Sequence, residues 1–282
     1  MGRVLFFDID GTLVGFDKKM PDSARKAVLR AKDNGHILIL CTGRGECQLY
    51  PLLQEIGFDG VISSGGTGVT FHDQVVARHT FGTEKMRFLT DLFRRYQIPY
   101  LLQAPDHYTI PQEGADGMRA AVSGNVSSPD TDPLSMLAPN MPEGVYFDPS
   151  IADHPQDYAG TDRILIGSSP IPVERLREMI SPMGLKIEFA SFKTPDLYSG
   201  EISPEGISKS TGMMELLQFL GRQQEDTVAF GDGPNDLEMM EFSACSVAMG
   251  NAIDSVKERA DLVTDDISRD GLFKAMQKLK LI

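Results

Sequence analysis

Short apolar runs alternate with helix-period segments at both ends of this 282-residue chain, and the alternation breaks down in the middle third. Val4–Asp8, Ile37–Cys41 and Val61–Ser63 read as buried strands: each is a short apolar run, the first ending in Asp8 and the third in Ser63. Between them Ala24, Ala27, Val28 and Ala31, then Leu49, Leu52, Leu53 and Ile56, recur at helical spacing. Asp22 or Ser23 is suited to cap the first helix and Gly35 to stop it. Gly57 suits the end of the second, and Pro51 interrupts it. Strand–helix–strand–helix–strand order implies a parallel sheet with right-handed crossovers. It returns after Ile202: a helix through Met213, Leu216, Leu217 and Leu220, a strand at Val228–Phe230, a helix through Met239 and Met240, strands at Ser246–Met249 and Leu262–Val263, and a last helix from Ser268.

The middle reads differently. Val69–Phe71 and Val75–Ala77 suggest a hairpin turning around Asp73 and Gln74. A helix is expected over 83–97, through Met86, Leu89, Leu92 and Phe93, and another near 173–181. Short strands are expected at Tyr100–Gln103, Arg163–Ile166 and Lys186–Phe189, and the prolines at 129, 133, 139, 142, 149 and 155 mark a loop-rich stretch. The simplest organisation is one α/β core built from residues 1–81 and 199–282, with an α+β domain inserted at 82–198.

A net charge of −13 argues against a nucleic-acid or anionic-membrane binder. No apolar stretch reaches membrane-span length and no signal-peptide pattern is visible, so a cytoplasmic location is expected. Cys41, Cys47 and Cys245 are odd in number and read as free thiols in a reducing compartment. A buried small side chain and a nucleophile are the two readings of Cys41 and Cys47. The histidines show no zinc spacing. No protein partner is implied.

The chemistry-bearing residues follow the core strands. Asp8 and Asp10 stand two apart in DIDGT, a string that also suits a plain turn. Thr42 begins T-G-R after the second strand. Asp232, Asn235 and Asp236 lie in GDGPND after the Val228 run, and Lys209 near the start of the preceding helix. Ligands of open α/β sheets bind outside the carboxyl ends of the strands, where these residues can meet. Carboxylate oxygens suit Mg²⁺, and a lysine with a metal can reverse the field that four aspartates present to a phosphate. Phosphoryl transfer needs mostly positioning and charge neutralisation.

DIDGTLV at 8–14, CTGR at 41–44, GISKSTGM at 206–213, GDGPNDLEMM at 231–240 and VAMGNA at 247–252 occur in order. In these pieces the chain resembles the haloacid dehalogenase-like phosphatases, and within them the Cof-type subfamily with a large α/β cap. The resemblance implies a Rossmann-like parallel-sheet core with the inserted domain as an α+β cap. It makes Asp8 the nucleophile, Asp10 the general acid/base, and Asp8, Asp10 and Asp232 the holders of Mg²⁺, with Asp236 behind them. Thr42, Lys209 and Asn235 match phosphate-binding positions. The implied substrate is a small phosphorylated metabolite, a sugar phosphate or a nucleotide- or flavin-related phosphate.

The chain departs from the family at Ser63-Ser64-Gly65-Gly66-Thr67, where the family often carries Asn-Gly-Ala and Gly65 takes the asparagine's place. Gly65 and Gly66 either cradle a phosphate or form a tight turn. Arg163 either contacts a second anion or makes a surface pair, and Arg44 either touches phosphate or anchors its loop through carboxylates. A phosphomutase on the same scaffold is the alternative activity, and a non-catalytic binding protein a further one. Glu46, Glu201 and Glu205 read as solvated or capping residues.

Overall fold

The computed structural model describes residues 2–15, 17–105, 107–111, 145–148, 154, 158–189 and 198–282. It divides into two compact units: residues 1–44, 49–78 and 207–282 form one, and 45–48 and 79–206 the other.

In the first unit, β1 (Val4–Phe7) lies at the centre of an eight-stranded sheet with β2 (Ile37–Cys41), β3 (Gly60–Ser63), β4 (Gly68–Phe71) and β5 (Gln74–Arg78) on one side. On its other side lie β12 (Thr227–Gly231), β13 (Ser246–Ala248) and β14 (Leu262–Val263). Pairing is parallel from β14 through β3 and antiparallel for β4 and β5.

Alternation along the strands divides the core between the two faces. Leu5, Phe7, Leu38, Leu40, Val228 and Phe230 pack with α1 (Asp22–Asp33) and the C-terminal helix Gly271–Lys278. Val4, Phe6, Ile39, Cys41 and Ala229 pack with Met213, Leu216 and Leu217 of the helix Lys209–Leu220. Phe7 and Phe230 stack across β1 and β12 with ring centroids 5.0 Å apart.

Local chemistry moves several boundaries from those expected. Pro21, not Asp22 or Ser23, occupies the N-cap of α1, and Asp22 is its first residue. The second helix, α2 (Pro51–Ile56), starts at Pro51, because a fixed φ and a missing N–H suit the first turn. The β4–β5 turn uses His72 and Asp73, both at positive φ (43° and 63°), as a tight hairpin turn requires. Ile267–Arg269 forms a separate 3₁₀ turn capped by Asp266, and Asp270 at φ 59° breaks the chain before the last helix begins at Gly271. Met213, Met239 and Met240 are buried, while Met214 is exposed.

The second unit holds a six-stranded sheet in the order β10 (Leu185–Phe189), β11 (Tyr198–Pro204), β9 (Arg163–Ser169), β6 (Tyr100–Gln103), β7 (Tyr108–Pro111) and β8 (Val145–Asp148). Met86, Leu89 and Phe93 of α3 (Gly82–Tyr96) and Leu176 and Ile180 of α4 (Val173–Ile180) pack on Tyr100, Leu102, Ile164, Ile166 and Ile202. The alternate positions carry Gln103, Arg163 and Glu201. The strands β7, β8 and β11 were not expected. The proline-rich stretch 123–155 lies outside the described residues except at 145–148 and 154. No helix among the described residues is long and apolar enough to cross a membrane.

Phe230→Ala removes one of two stacked central rings and is expected to cost about 3–5 kcal/mol in denaturant unfolding, with the m-value unchanged.

Candidate active site

Register brings the site together. Phe7 lies opposite both Leu40 and Phe230, so Asp8, Thr42 and Asp232 leave the same edge of the sheet within two residues of those partners. The Asp8 N–H donates to Phe230 O at 3.0 Å.

Lys209 opens α5 (Lys209–Leu220) and is 1% exposed. Its Nζ lies 2.6 Å from Asp8 Oδ1 and 2.5 Å from Asp236 Oδ1. Asp236 is fully buried, and its Oδ2 accepts the backbone N–H groups of Asp232 and Gly233, both at 2.9 Å. Both of its oxygens are therefore engaged in bracing Lys209 against the Asp232 loop.

Asp232 is held from two segments. Thr12 Oγ1 donates to Oδ1 at 3.1 Å and Asn251 Nδ2 to Oδ2 at 3.2 Å. Asn251 Nδ2 also donates to Gly11 O at 2.8 Å, and Asn251 Oδ1 accepts Ile267 N–H at 3.1 Å. Gly11 makes this approach possible: at φ 91°, a Cβ there would lie 2.1 Å from Asp232 Oδ2. Gly66, at φ 109°, does the same for α5, since its Cβ would lie 1.9 Å from Ser208 O and displace the turn that carries Lys209. The Gly65 N–H donates to Thr42 O at 2.9 Å, which ties this loop to the one after β2.

Asp8, Asp232 and Asp236 are all buried, with carboxylate oxygens within 4.8 Å of one another. Burial and then Asp236 push the Asp8 carboxyl well above its usual range, with Lys209 pulling against them. Burial and Asp236 also push Asp232 up to about 6. For Lys209, burial alone would lower the pKa, but Asp236 and Asp8 outweigh it and the ammonium is held charged. Three buried carboxylates against one ammonium are undercompensated, and their hard oxygen donors fit a divalent cation such as Mg²⁺.

Asp10 is turned to another partner. The Gly11 N–H closes its loop onto Val14 O at 2.8 Å. Its half-exposed carboxylate receives Arg44 Nε at 2.6 Å and Arg44 Nη2 at 2.9 Å, a bidentate fork. Arg44 thus anchors its loop through a carboxylate, one of the two roles open to it from sequence. Thr42 is buried, its Oγ1 accepts Arg44 N–H at 3.1 Å, and its hydroxyl keeps a proton to donate.

The structure therefore joins Asp8, Lys209, Asp232 and Asp236 in direct contact, with Thr42, Gly65 and Gly66 on loops beside them. Asn235 is exposed. Arg163 lies in the second unit, where it pairs with Glu201 of the same sheet, so Glu201 is an ion-pair partner and neither a solvated nor a capping residue. Sequence reasoning assigned no role to Thr12, Asn251 or Tyr50. The first two stood inside quoted motifs, which was the available signal.

Residues 5–276 match the family model described as haloacid dehalogenase-like hydrolase. The chain belongs to the haloacid dehalogenase-like hydrolase family. It is 31% identical over 285 residues to YkrA of Bacillus subtilis (strain 168), which is named as a phosphatase, covering 99% of this chain and 98% of that one. It is 25% identical over 276 residues to the pyridoxal phosphate phosphatase YbhA of Escherichia coli (strain K12), covering 96% of each. Among solved structures, a hypothetical protein from Geobacillus kaustophilus HTA426 is similar over the full length of both chains, at a TM-score of 0.81 and 27% identity. The subclass IIB sugar phosphatase BT4131 shares the fold, at a TM-score of 0.77 and 23% identity over 99% of this chain and all of that one. This hydrolase is thus of the phosphatase kind, a parallel-sheet core with an inserted cap domain.

A folded-state pKa of about 6 at Asp232 against an ordinary 3.8 means that ionising it costs folding free energy, on the order of 3 kcal/mol, fully present above pH 6 and absent below pH 3.8. In metal-free protein, Asp232→Asn removes that cost. Its unfolding free energy is expected to exceed wild type by most at pH 7 and to converge on wild type near pH 4. A difference that does not vary with pH would contradict the assignment.

Proposed function

We propose that this hydrolase is a Mg²⁺-dependent phosphatase for phosphomonoesters of small metabolites, acting through an aspartyl-phosphate on Asp8. The observation that carries the reading is the buried contact between Asp8 and Lys209 within the carboxylate cluster at the carboxyl edge of the sheet. The ammonium engages Oδ1 of Asp8, which leaves Oδ2 to attack phosphorus.

In the first step the Asp8 oxygen bonds to phosphorus and the ester P–O bond breaks, with Asp10 giving its proton to the departing alcohol oxygen. In the second, Asp10 takes a proton from water as the water oxygen bonds to phosphorus. The acyl-phosphate bond then breaks, releasing inorganic phosphate and restoring the Asp8 carboxylate. Lys209 and the Thr42 hydroxyl hold phosphoryl oxygens in both steps, and Asn235 supports the loop beside them. The side chains of Asp8 and Asp232 and the backbone carbonyl of Asp10 would hold Mg²⁺, with Asp236 bracing from behind. When bound, the ion neutralises charge building on the phosphoryl oxygens. The second unit would choose the leaving group, with Arg163 a candidate contact there and Gly65 and Gly66 candidates in the core.

Relatives support the substrate class. YbhA is named for pyridoxal phosphate, and YwtE of Bacillus subtilis, 25% identical over 279 residues, for 5-amino-6-(5-phospho-D-ribitylamino)uracil. Both are small phosphomonoesters, one a cofactor and the other a ribityl phosphate.

Purified protein is expected to release phosphate from p-nitrophenyl phosphate with MgCl₂, to lose that activity in EDTA and to regain it when Mg²⁺ is restored in excess. Asp8→Asn should lower kcat about a thousandfold or more with circular dichroism unchanged. Normal turnover by Asp8→Asn would remove the nucleophile assignment. A screen of phosphorylated sugars, nucleotides and flavin-related phosphates would then rank substrates by kcat/KM.

A further inference from the structure

Tyr50 sits where no chemistry was expected of it. It is the residue before Pro51 at the N-cap of α2, and its hydroxyl meets both members of the Asp10–Arg44 pair. Arg44 Nη2 donates to the Tyr50 hydroxyl oxygen at 2.7 Å, and that hydroxyl lies 3.2 Å from Asp10 Oδ1, to which it donates its one proton. The Arg44 guanidinium carbon lies 4.4 Å from the centroid of the Tyr50 ring. One side chain thus stacks on the guanidinium, accepts from it and donates to the carboxylate it grips.

This arrangement sets where the Asp10 carboxylate points. The side chain is 42% exposed, so water competes for it and packing alone does not fix its rotamer. The Arg44 fork defines the plane of the carboxylate, and Tyr50 holds the fork by stacking and by a hydrogen bond. Tyr50 is in turn fixed by the rigid Tyr50–Pro51 junction and the helix that follows. Proton transfer from the attacking water depends on the base lying within hydrogen-bond reach of it, so a carboxylate free to turn is a poorer base.

We infer that Tyr50 is a positioning residue for proton transfer, acting through Asp10 by holding Arg44 and the Asp10 carboxylate in one geometry. The inference rests on the proposed role of Asp10 as acid/base. It adds a residue whose hydroxyl meets Arg44 and Asp10.

The test is a double-mutant cycle on p-nitrophenyl phosphate hydrolysis with wild type, Tyr50→Phe, Asp10→Ala and the double variant. Tyr50→Phe keeps the ring and removes only the hydroxyl. It is expected to lower kcat about tenfold, with KM, the half-saturating Mg²⁺ concentration and Tm near wild type. In the Asp10→Ala background the same substitution should change kcat by less than about twofold, because the group it positions is gone. Wild-type kcat in Tyr50→Phe, or an equal loss in both backgrounds, would overturn the inference. The proposed role of Asp10 is tested separately: if Asp10→Ala turns over as fast as wild type, that role fails and the inference with it.

Discussion

The Lys209 ammonium is the interaction on which the site depends. It lies between Asp8 and Asp236 in a place from which water is excluded, and without it the two carboxylates would face each other across a few ångströms of low-dielectric interior. Burial favours loss of its proton, but the two carboxylates reverse that preference. A buried ion pair of this kind is weak evidence for net stability, because desolvation offsets most of the attraction. Its value here is positional, since it fixes one oxygen of Asp8 and joins the start of α5 to the loop after β12.

The backbone makes that contact affordable. Parallel register aligns the ends of β1, β2 and β12, and the loops that follow approach closely because Gly11 and Gly66 lack side chains. Asp236 ties the Asp232 loop through its N–H groups, and Asn251 ties Asp232 to the Gly11 loop and to Ile267. The two aspartates of DIDGT then meet different surroundings. Asp8 is buried against Lys209, while Asp10 is half-exposed and gripped by Arg44 and Tyr50.

The α/β core was legible because its strands are short apolar runs and its helices carry clear periodicity. The catalytic candidates were legible because DIDGT, TGR and GDGPND each follow a core strand. What escaped depends on pairing and caps. Tyr108–Pro111 becomes a strand by pairing with β6 across a short turn and with β8 farther along the chain, and Tyr198–Pro204 by pairing with β9 and β10. In sequence Pro51 reads as an interruption, because its merit as a first helical residue depends on where the helix begins. Asp270 ends one turn and precedes another helix through a left-handed backbone that composition does not announce. Tyr50 and Asn251 act through hydrogen bonds to residues 40 and 19 positions away respectively, which no local pattern encodes.

The central claim is that Asp8 is the atom donor to phosphorus. Asp10→Ala protein mixed with p-nitrophenyl phosphate and Mg²⁺, quenched in acid and digested for peptide mass spectrometry, tests it most directly. The account predicts a hydroxylamine-labile phosphoryl group on the peptide containing Asp8, absent when Asp8→Asn is added. A phosphoryl group on any other residue, or nitrophenolate release at the Asp10→Ala rate by the Asp8→Asn double variant, would contradict it.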